Sequence, residues 1–451
     1  MSMPPPAAAE TRPNLDLDEA LADAEARYAA TRPRSRAAFE RATEAMPGAN
    51  TRTALYYPPF PAVIARGEGA RLVDLDGHTY VDLLGEYSAA LYGHSHPVIT
   101  AAVREALEEG VALGGPNRYE GPLAAEICRR FAGVDLVRFA NSGTEANLFA
   151  IAAARLHTGR PGVMVFDHGY HGGVLTFPGD APEHRINVPY PWVVAPFNDL
   201  DGTLALLERR GDGLAAVLVE PMQGGGGTIP AERDFLRGLR EACTRRGVVL
   251  ILDEVMTSRS SAGGLQARLG VVGDMTTLGK HLGGGLTLSA FGGRADIMAR
   301  FDPRGPGVLP HAGTFNNNVL AMAAGLAGLT RVATPAALDA HFARGERLKE
   351  RLNGLARDLD VPSFTATGAG TILTLHCVTG PLRHGRDLDA RDPARRDRLQ
   401  RLLHLDLLER GHYVARRGYV APPMPLEPTD EDAFVQAVEE FLNLRRGLLL
   451  Q

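Results

Sequence analysis

Cysteine is scarce in this chain: three in 451 residues, far apart at Cys128, Cys243 and Cys377. Their positions give no metal-site spacing and no disulfide framework, which points to reduced thiols in a cytoplasmic protein. An excess of charge of one sign is also lacking. The formal net charge is −5 and there is no basic arm, so composition gives no electrostatic case for nucleic acid or membrane surfaces. No uninterrupted apolar run is long enough to span a bilayer. Residues 1–15 begin MSMPPPAAAETRP, have no apolar signal region, and read as a disordered leader. No internal repeat is visible. What the chain does have is length and a globular balance of apolar and charged residues, enough for more than one domain.

Residues 16–46 have helical composition, interrupted at Pro33. Arg52 follows in a Pro- and Gly-rich stretch and, taken alone, reads as a solvated loop cation. Alternation over residues 63–84 on either side of Asp76-Gly77 predicts a hairpin. Asp74 and Asp76 lack the distal acid that a calcium loop needs, and His94 and His96 lack partners at ligand spacing, so no metal is assigned. Residues 136–140 read as a short strand, followed by Asn141-Ser142-Gly143-Thr144-Glu145 and a strong helix former. A strand, a Ser-Gly-Thr turn and a helix aim free N–H groups, hydroxyls and the positive helix end at a phosphate. Residues 163–166 lead into Tyr170-His171 among glycines, where an aromatic ring can stack over a flat cofactor. Residues 214–219 form a buried strand ending in Glu220-Pro221. The glycines at 224–227 fall outside a nucleotide-binding frame.

The stretch 247–280 holds the sharpest signal. An apolar run ends in Asp253, and a weaker run, residues 275–278, ends in Gly279-Lys280. In an open α/β sheet, functional groups gather at the carboxyl ends of the strands, so an acid and an amine would meet at one rim. That pair suits pyridoxal phosphate. The lysine forms a Schiff base, and the carboxylate pairs with the pyridinium nitrogen that makes the ring an electron sink. On these residues alone, an ordinary strand-end aspartate and a surface lysine remain the alternative. Further on, Thr314 precedes three asparagines and an apolar helix expected to be buried. From about residue 333, helical runs (336–355, 395–410, 429–449) alternate with short strands (around 364, 371–375, 413–420), an α+β pattern. Arg416-Arg417 falls in the last strand-like stretch, and Thr429 with Asp432 reads as a capping box.

Six blocks occur in order: Ser142-Gly143-Thr144-Glu145-Ala146, Tyr170-His171-Gly172, Glu220-Pro221, Asp253-Glu254-Val255, Leu278-Gly279-Lys280 and Gly313-Thr314-Phe315. Together they resemble the class III, fold-type I aminotransferases that use pyridoxal phosphate. The resemblance implies an α/β large domain with a mostly parallel sheet flanked by helices (76–332) and a smaller α+β domain (333–451). The segment 16–75 would pack with the smaller domain. Lys280 would hold the cofactor and carry protons, and Asp253 would pair with the ring nitrogen. Ser142, Gly143 and Thr144 would bind the phosphate. Tyr170, with His171 beside it, and Val255 would take the two ring faces, and Glu220 would sit near the ring hydroxyl. A threonine like Thr314 reaches the neighbouring subunit's phosphate in this family, which implies a homodimer.

Longer stretches, including MPGANTRTALYYPPFPAVIARGEGA and HAGTFNNNV, are similar to bacterial β-amino-acid aminotransferases acting on β-phenylalanine. In that branch the arginine matching Arg52 binds the β-amino acid carboxylate. The one matching Arg417 binds the carboxylate of an α-keto acid such as 2-oxoglutarate or pyruvate. Two bidentate cations let one site take carboxylates at different distances from the reacting carbon. There are departures: TSRSSAGG follows Met256, and Asn117-Arg118-Tyr119 stands where the branch is more apolar, at the pocket or the dimer interface. Leu55, Tyr56 and Tyr57 are placed to wall an aromatic group or to pack against a neighbouring subunit. The related glutamate-1-semialdehyde aminomutases supply the alternative, amino transfer within one molecule. A regulator built on the same domain would need a DNA-binding module, and no basic recognition helix is present.

Overall fold

The computed structural model describes residues 16–179 and 186–451, so the expected leader lies outside the described residues. Its centre is a seven-stranded sheet. The strands run in the order Leu136–Ala140, Ser289–Gly293, Met275–Leu278, Val249–Asp253, Leu214–Val219, Gly162–Phe166, Trp192–Ala195. Ser289–Gly293 is antiparallel to both neighbours, while the other contacts in the sheet are parallel. The central strands are apolar throughout because both faces are covered. Successive side chains point to opposite faces. Val163, Val165, Ala216, Leu218, Val249 and Ile251 pack with Ala146, Ala150 and Ile151 of the helix Gly143–Thr158. Met164, Phe166, Val217, Val219, Leu250 and Leu252 meet Leu236, Leu239 and Cys243 of Arg233–Arg246.

The N-terminal and C-terminal regions share another core. Pro33 is the first residue of a second helix, Pro33–Thr43, after Leu17–Thr31, as its fixed φ and missing N–H favour. The hairpin at Asp76-Gly77 forms between Arg71–Asp74 and Thr79–Asp82. Its two acids are structural. The Asp74 carboxylate accepts from the Asp76 and His78 N–H groups at 3.0 and 2.9 Å. Asp76 accepts from Arg34 and Ser35 N–H at 2.7 and 2.9 Å, capping the second helix from outside. His94 Nε2 lies 2.9 Å from Asp82 Oδ2. Leu17, Tyr28, Leu352, Leu403 and Phe441 belong to one apolar cluster.

Two local expectations fail. Residues 413–420 do not form one strand. His412–Tyr413 pairs parallel with Val81 and Asp82, whereas Tyr419–Val420 pairs with Leu373 and Thr374 of a different sheet. Between them the chain turns, with the Gly418 N–H donating to Ala415 O at 2.8 Å and Gly418 at φ +83°, a conformation glycine adopts without strain. Arg416 and Arg417 therefore sit on a turn. The capping box at Thr429 is absent as well: the helix Pro428–Leu444 starts one residue earlier behind Glu427, with no side-chain cap. Proline at the first position has no N–H to satisfy. Among the described residues, no single helix is long and apolar enough to cross a membrane.

Candidate active site

Asp253 ends the strand Val249–Asp253 and stands opposite Thr277 on the adjacent parallel strand Met275–Leu278. Two residues after that strand comes Lys280, so the acid and the amine do reach one rim. Lys280 has φ +55°, a left-handed conformation uncommon outside glycine and found where surrounding structure enforces it. Its amine has no hydrogen-bond partner among the described residues. Burial, reinforced by the Arg52 and Arg417 charges and partly offset by Glu86 and Asp253, pulls it down to about 8. The neutral, nucleophilic amine is thus present at lower pH than on an ordinary lysine. Uptake of pyridoxal phosphate by cofactor-free protein, followed by rapid-mixing absorbance, is expected to accelerate as pH rises through about 8 and then level off. A profile still climbing at about pH 10, the range of a free lysine, would contradict this. The readout is clean because Lys280 and Lys349 are the only lysines in the chain, and Lys349 is paired with Glu346 at 2.9 Å.

Across the rim the helix Gly143–Thr158 begins. Ser142 is its N-cap, its Oγ accepting from Glu145 N–H at 3.2 Å. This leaves the Gly143 and Thr144 N–H groups without helical partners. The turn is packed to backbone contact. A Cβ on Gly143 would come within 2.9 Å of Val255 Cγ1, and one on Gly172, at φ +136°, within 2.2 Å of Thr144 Oγ1. Thr144 Oγ1 accepts from Gly173 N–H at 3.1 Å. A concave set of N–H donors at a helix N-terminus suits a phosphate.

Asp253 is fixed from behind. Asn147 Nδ2 donates to Oδ2 at 2.8 Å, His171 Nδ1 meets the same oxygen at 2.7 Å, and Val255 N–H donates to Oδ1 at 3.0 Å. A carboxylate only accepts, so His171 presents its proton at Nδ1. Asn147 is itself pinned, donating to His171 O and accepting from Thr277 Oγ1, both at 2.8 Å. Asn147 was not anticipated; its signal was an amide one turn inside an alanine-rich helix directly after the phosphate turn. Glu220 is buried and accepts from Tyr170 and Gly224 N–H at 3.0 and 2.9 Å. Burial pushes it up to about 7, with His171 opposing and Asp253 adding to the rise.

These groups line one cavity of about 450 Å³, together with Tyr170, Val255, Met256, Arg52, Glu86, Tyr87, Arg417 and Tyr419. Arg52 is ion-paired with Glu86 and lies 5.5 Å from the Tyr87 ring centre. Arg417 lies 5.6 Å from the same ring and 5.4 Å from that of Tyr419. It has no carboxylate partner among the described residues, unlike Arg416, which pairs with Asp397 at 2.9 Å. Glu86 and Tyr87 were also missed, hidden in a Gly-rich loop. Other expected residues lie elsewhere. Tyr57 is buried against Tyr28 and His404, and neither it, Leu55 nor Tyr56 lines the cavity; Ala54 does. Asn117, Arg118 and Tyr119 do not line it either: Arg118 pairs with Glu105 and Glu109, and Asn117 donates to Asn317 O. Thr314 is exposed, on the loop that Asn316 joins to Asn141 at 2.9 Å.

The donor set fits pyridoxal phosphate: an anion cradle, a fixed carboxylate, a desolvated amine, and Tyr170 and Val255 in the lining of the same cavity. Comparison with known proteins agrees. The family model for aminotransferase class-III matches residues 53–381. A β-phenylalanine transaminase of Variovorax paradoxus is 49% identical over 433 residues, 96% of this chain and 98% of that protein. A crystal structure of a β-phenylalanine aminotransferase from Variovorax paradoxus superposes with a TM-score of 0.92 at 49% identity, covering 95% of this chain and 98% of that one. A glutamate-1-semialdehyde aminomutase from Pseudomonas aeruginosa PAO1, in complex with PMP, gives 0.85 at 26% identity, covering 95% and 98%. This chain belongs to the class-III aminotransferases and is a transaminase dependent on pyridoxal phosphate.

Proposed function

We propose that the enzyme moves the amino group of a β-amino acid bearing an aromatic group, such as β-phenylalanine, to an α-keto acid such as 2-oxoglutarate or pyruvate. The observation that carries this reading is the pair of guanidinium groups on one wall of the cavity, Arg52 and Arg417, the second without an internal carboxylate. Arg52 takes the carboxylate of the β-amino acid and Arg417 that of the keto acid, each by parallel N–H donation. The similarity to a β-phenylalanine transaminase supports the same substrate class.

Bound pyridoxal phosphate supplies the electron sink for loss of a proton from the amine-bearing carbon. Ser142, Gly143 and Thr144 would hold its phosphate at the N-terminus of the helix Gly143–Thr158. Asp253, braced by Asn147 and His171, would pair with the ring nitrogen and keep a proton there. Tyr170 and Val255 would hold the ring between them, and Glu220 would support its hydroxyl side. Lys280 Nζ anchors the cofactor and, once released, takes the proton from the substrate's amine-bearing carbon.

The same reading makes the enzyme a cytoplasmic homodimer, with Thr314 reaching the partner's phosphate site. Exposed Val111, Leu113 and Phe315, on two loops tied by Asn117 and Asn317, support an interface there. The segment 16–75 would stand with a small domain, 333–451, and residues 76–332 would form the cofactor domain.

The test is the visible spectrum of the cofactor-loaded enzyme with each enantiomer of β-phenylalanine and no keto acid. One enantiomer should convert the cofactor to its amino form, and 2-oxoglutarate should restore it. An intramolecular aminomutase would instead accumulate product without any keto acid. Arg52→Ala is expected to slow the β-amino acid half-reaction about 100-fold, and Arg417→Ala the keto acid half-reaction similarly, each sparing the other half. Equal damage to both halves by either variant would refute the division.

A further inference from the structure

We infer that Arg259 is a positioning residue for recognition of the keto acid: its guanidinium sets the spacing of Tyr87 and Tyr419, the two rings on which Arg417 rests. The inference builds on the assignment of Arg417 to the keto acid carboxylate.

Arg259 comes from the stretch TSRSSAGG, which departs from the pattern of the class. Thr257–Ser260 is a single 3₁₀ turn, and all four of its residues are buried. The turn is anchored from the cofactor side. Glu254, the residue after Asp253, accepts from Thr257 Oγ1 and from the N–H groups of Leu265 and Gln266. The Arg259 side chain is fully buried and has no carboxylate partner among the described residues. Burial pulls its pKa down to about 10. A cation taken out of water without a counter-charge is costly, and this one persists on neutral acceptors alone. Ser88 O accepts from Nη1 at 3.2 Å, and Pro422 O from Nη2 at 2.6 Å. Thr371 Oγ1 and His341 Nε2 lie 3.3 and 2.9 Å from Nη2. A guanidinium only donates, so His341 accepts at Nε2 and carries its proton on Nδ1. Burial, with the Arg259 and Arg344 charges, holds the His341 pKa well below the usual histidine value.

The two carbonyls matter for what precedes them. Ser88 directly follows Tyr87, in a turn where Gly85, Glu86, Tyr87 and Ser88 all have positive φ, at +54°, +48°, +52° and +76°. Consecutive non-glycine residues in the left-handed region are unfavourable and persist only where surrounding structure enforces them. Pro422 follows Ala421 and the strand Tyr419–Val420. A Cβ on Gly85 would fall 2.2 Å from Ala421 O, and Ala421 N–H donates to Leu83 O at 2.6 Å, so the two segments already touch at one place. A single contact leaves a hinge. The planar fork closes it by reaching one carbonyl from each terminal nitrogen. The rings of Tyr87 and Tyr419 then stand 5.6 Å apart at 31°. Arg417 lies 5.6 and 5.4 Å from their centres, so its direction depends on both. Arg52 faces Tyr87 and pairs with Glu86, both on the turn itself, and so travels with the turn. Loss of the fork therefore falls on Arg417 more than on Arg52.

The experiment is stopped-flow measurement of the two half-reactions in cofactor-loaded R259M and R259K, with β-phenylalanine for one half and 2-oxoglutarate for the other. Methionine fills the space and donates nothing. Lysine keeps the charge but cannot bridge both carbonyls. R259M is expected to raise the 2-oxoglutarate concentration for half-maximal rate about 30-fold and the β-phenylalanine value less than about threefold, with the cofactor spectrum unchanged. R259K is expected to raise the first about tenfold, and it decides the question should R259M not fold. In an R417A background, R259M should add less than about twofold, because no guanidinium remains to be placed. A full further loss there would show that Arg259 acts through general packing and would overturn the inference. Equal damage to both halves, or a native 2-oxoglutarate value in R259K, would overturn it as well. If R417A itself leaves the 2-oxoglutarate half-reaction unaffected, the assignment of Arg417 falls, and this inference with it.

Discussion

Lys280→Ala is expected to lower transaminase turnover by at least about 10⁴-fold while leaving the protein folded and able to take up pyridoxal phosphate without a covalent bond. The size follows from the double duty of one atom. Lys280 Nζ anchors the cofactor and moves the proton, and no second amine stands in the cavity to replace it. Lys349, the other lysine, is held by Glu346 and Gly368 O on the helix Pro335–Asp358, and does not line the cavity. The phosphate turn does not involve Lys280, so cofactor affinity should fall less than turnover. Absorbance separates the effects: the band of lysine-bound cofactor disappears and that of the free aldehyde replaces it. A variant that keeps its turnover would remove the basis of the mechanism.

Asp253→Asn is expected to cost about 10³-fold in turnover with little change in fold or cofactor uptake, the scale seen when one preorganised group facing a developing charge is lost. Asparagine is isosteric, and its carbonyl oxygen can still accept from Asn147 or His171, so the bracing network keeps a partner. What it cannot do is balance a proton on the ring nitrogen. An N-methylated pyridoxal phosphate carries that charge without a proton. It is expected to recover part of the lost rate in Asp253→Asn and to give no gain in the native enzyme. Failure of the methylated cofactor to rescue, with binding intact, would show that Asp253 acts in some other way.

The parts of the site that follow strand order were legible in the sequence. Buried parallel strands are continuous apolar runs, so their ends, and with them Asp253, Glu220 and Lys280, could be placed by eye. The Ser142 turn was legible because capping chemistry is local. What could not be read is what depends on distant segments meeting. Asn147 matters because Thr277, His171 and Asp253, all more than 20 positions away, converge on its amide. Glu86 and Tyr87 face the site because a left-handed turn, enforced by Ala421 and Arg259, puts them there. Tyr57 was misplaced for the same reason: its neighbours Tyr28 and His404 come from opposite ends of the chain. The single strand expected at 413–420 failed because alternation cannot show that two short stretches belong to different sheets.

The scarcity of lysine has a practical side. Cationic charge in this protein is almost entirely guanidinium, which does not react with the esters and aldehydes used to modify amines. Lys349 is 24% exposed and bound to a neighbouring carboxylate. The side-chain amine most activated for such chemistry is therefore the catalytic one. Coupling to a solid support through side-chain amines would draw on the active site. Conversely, an amine label located on Lys280 by peptide mass reports the fraction of competent sites in a preparation freed of cofactor.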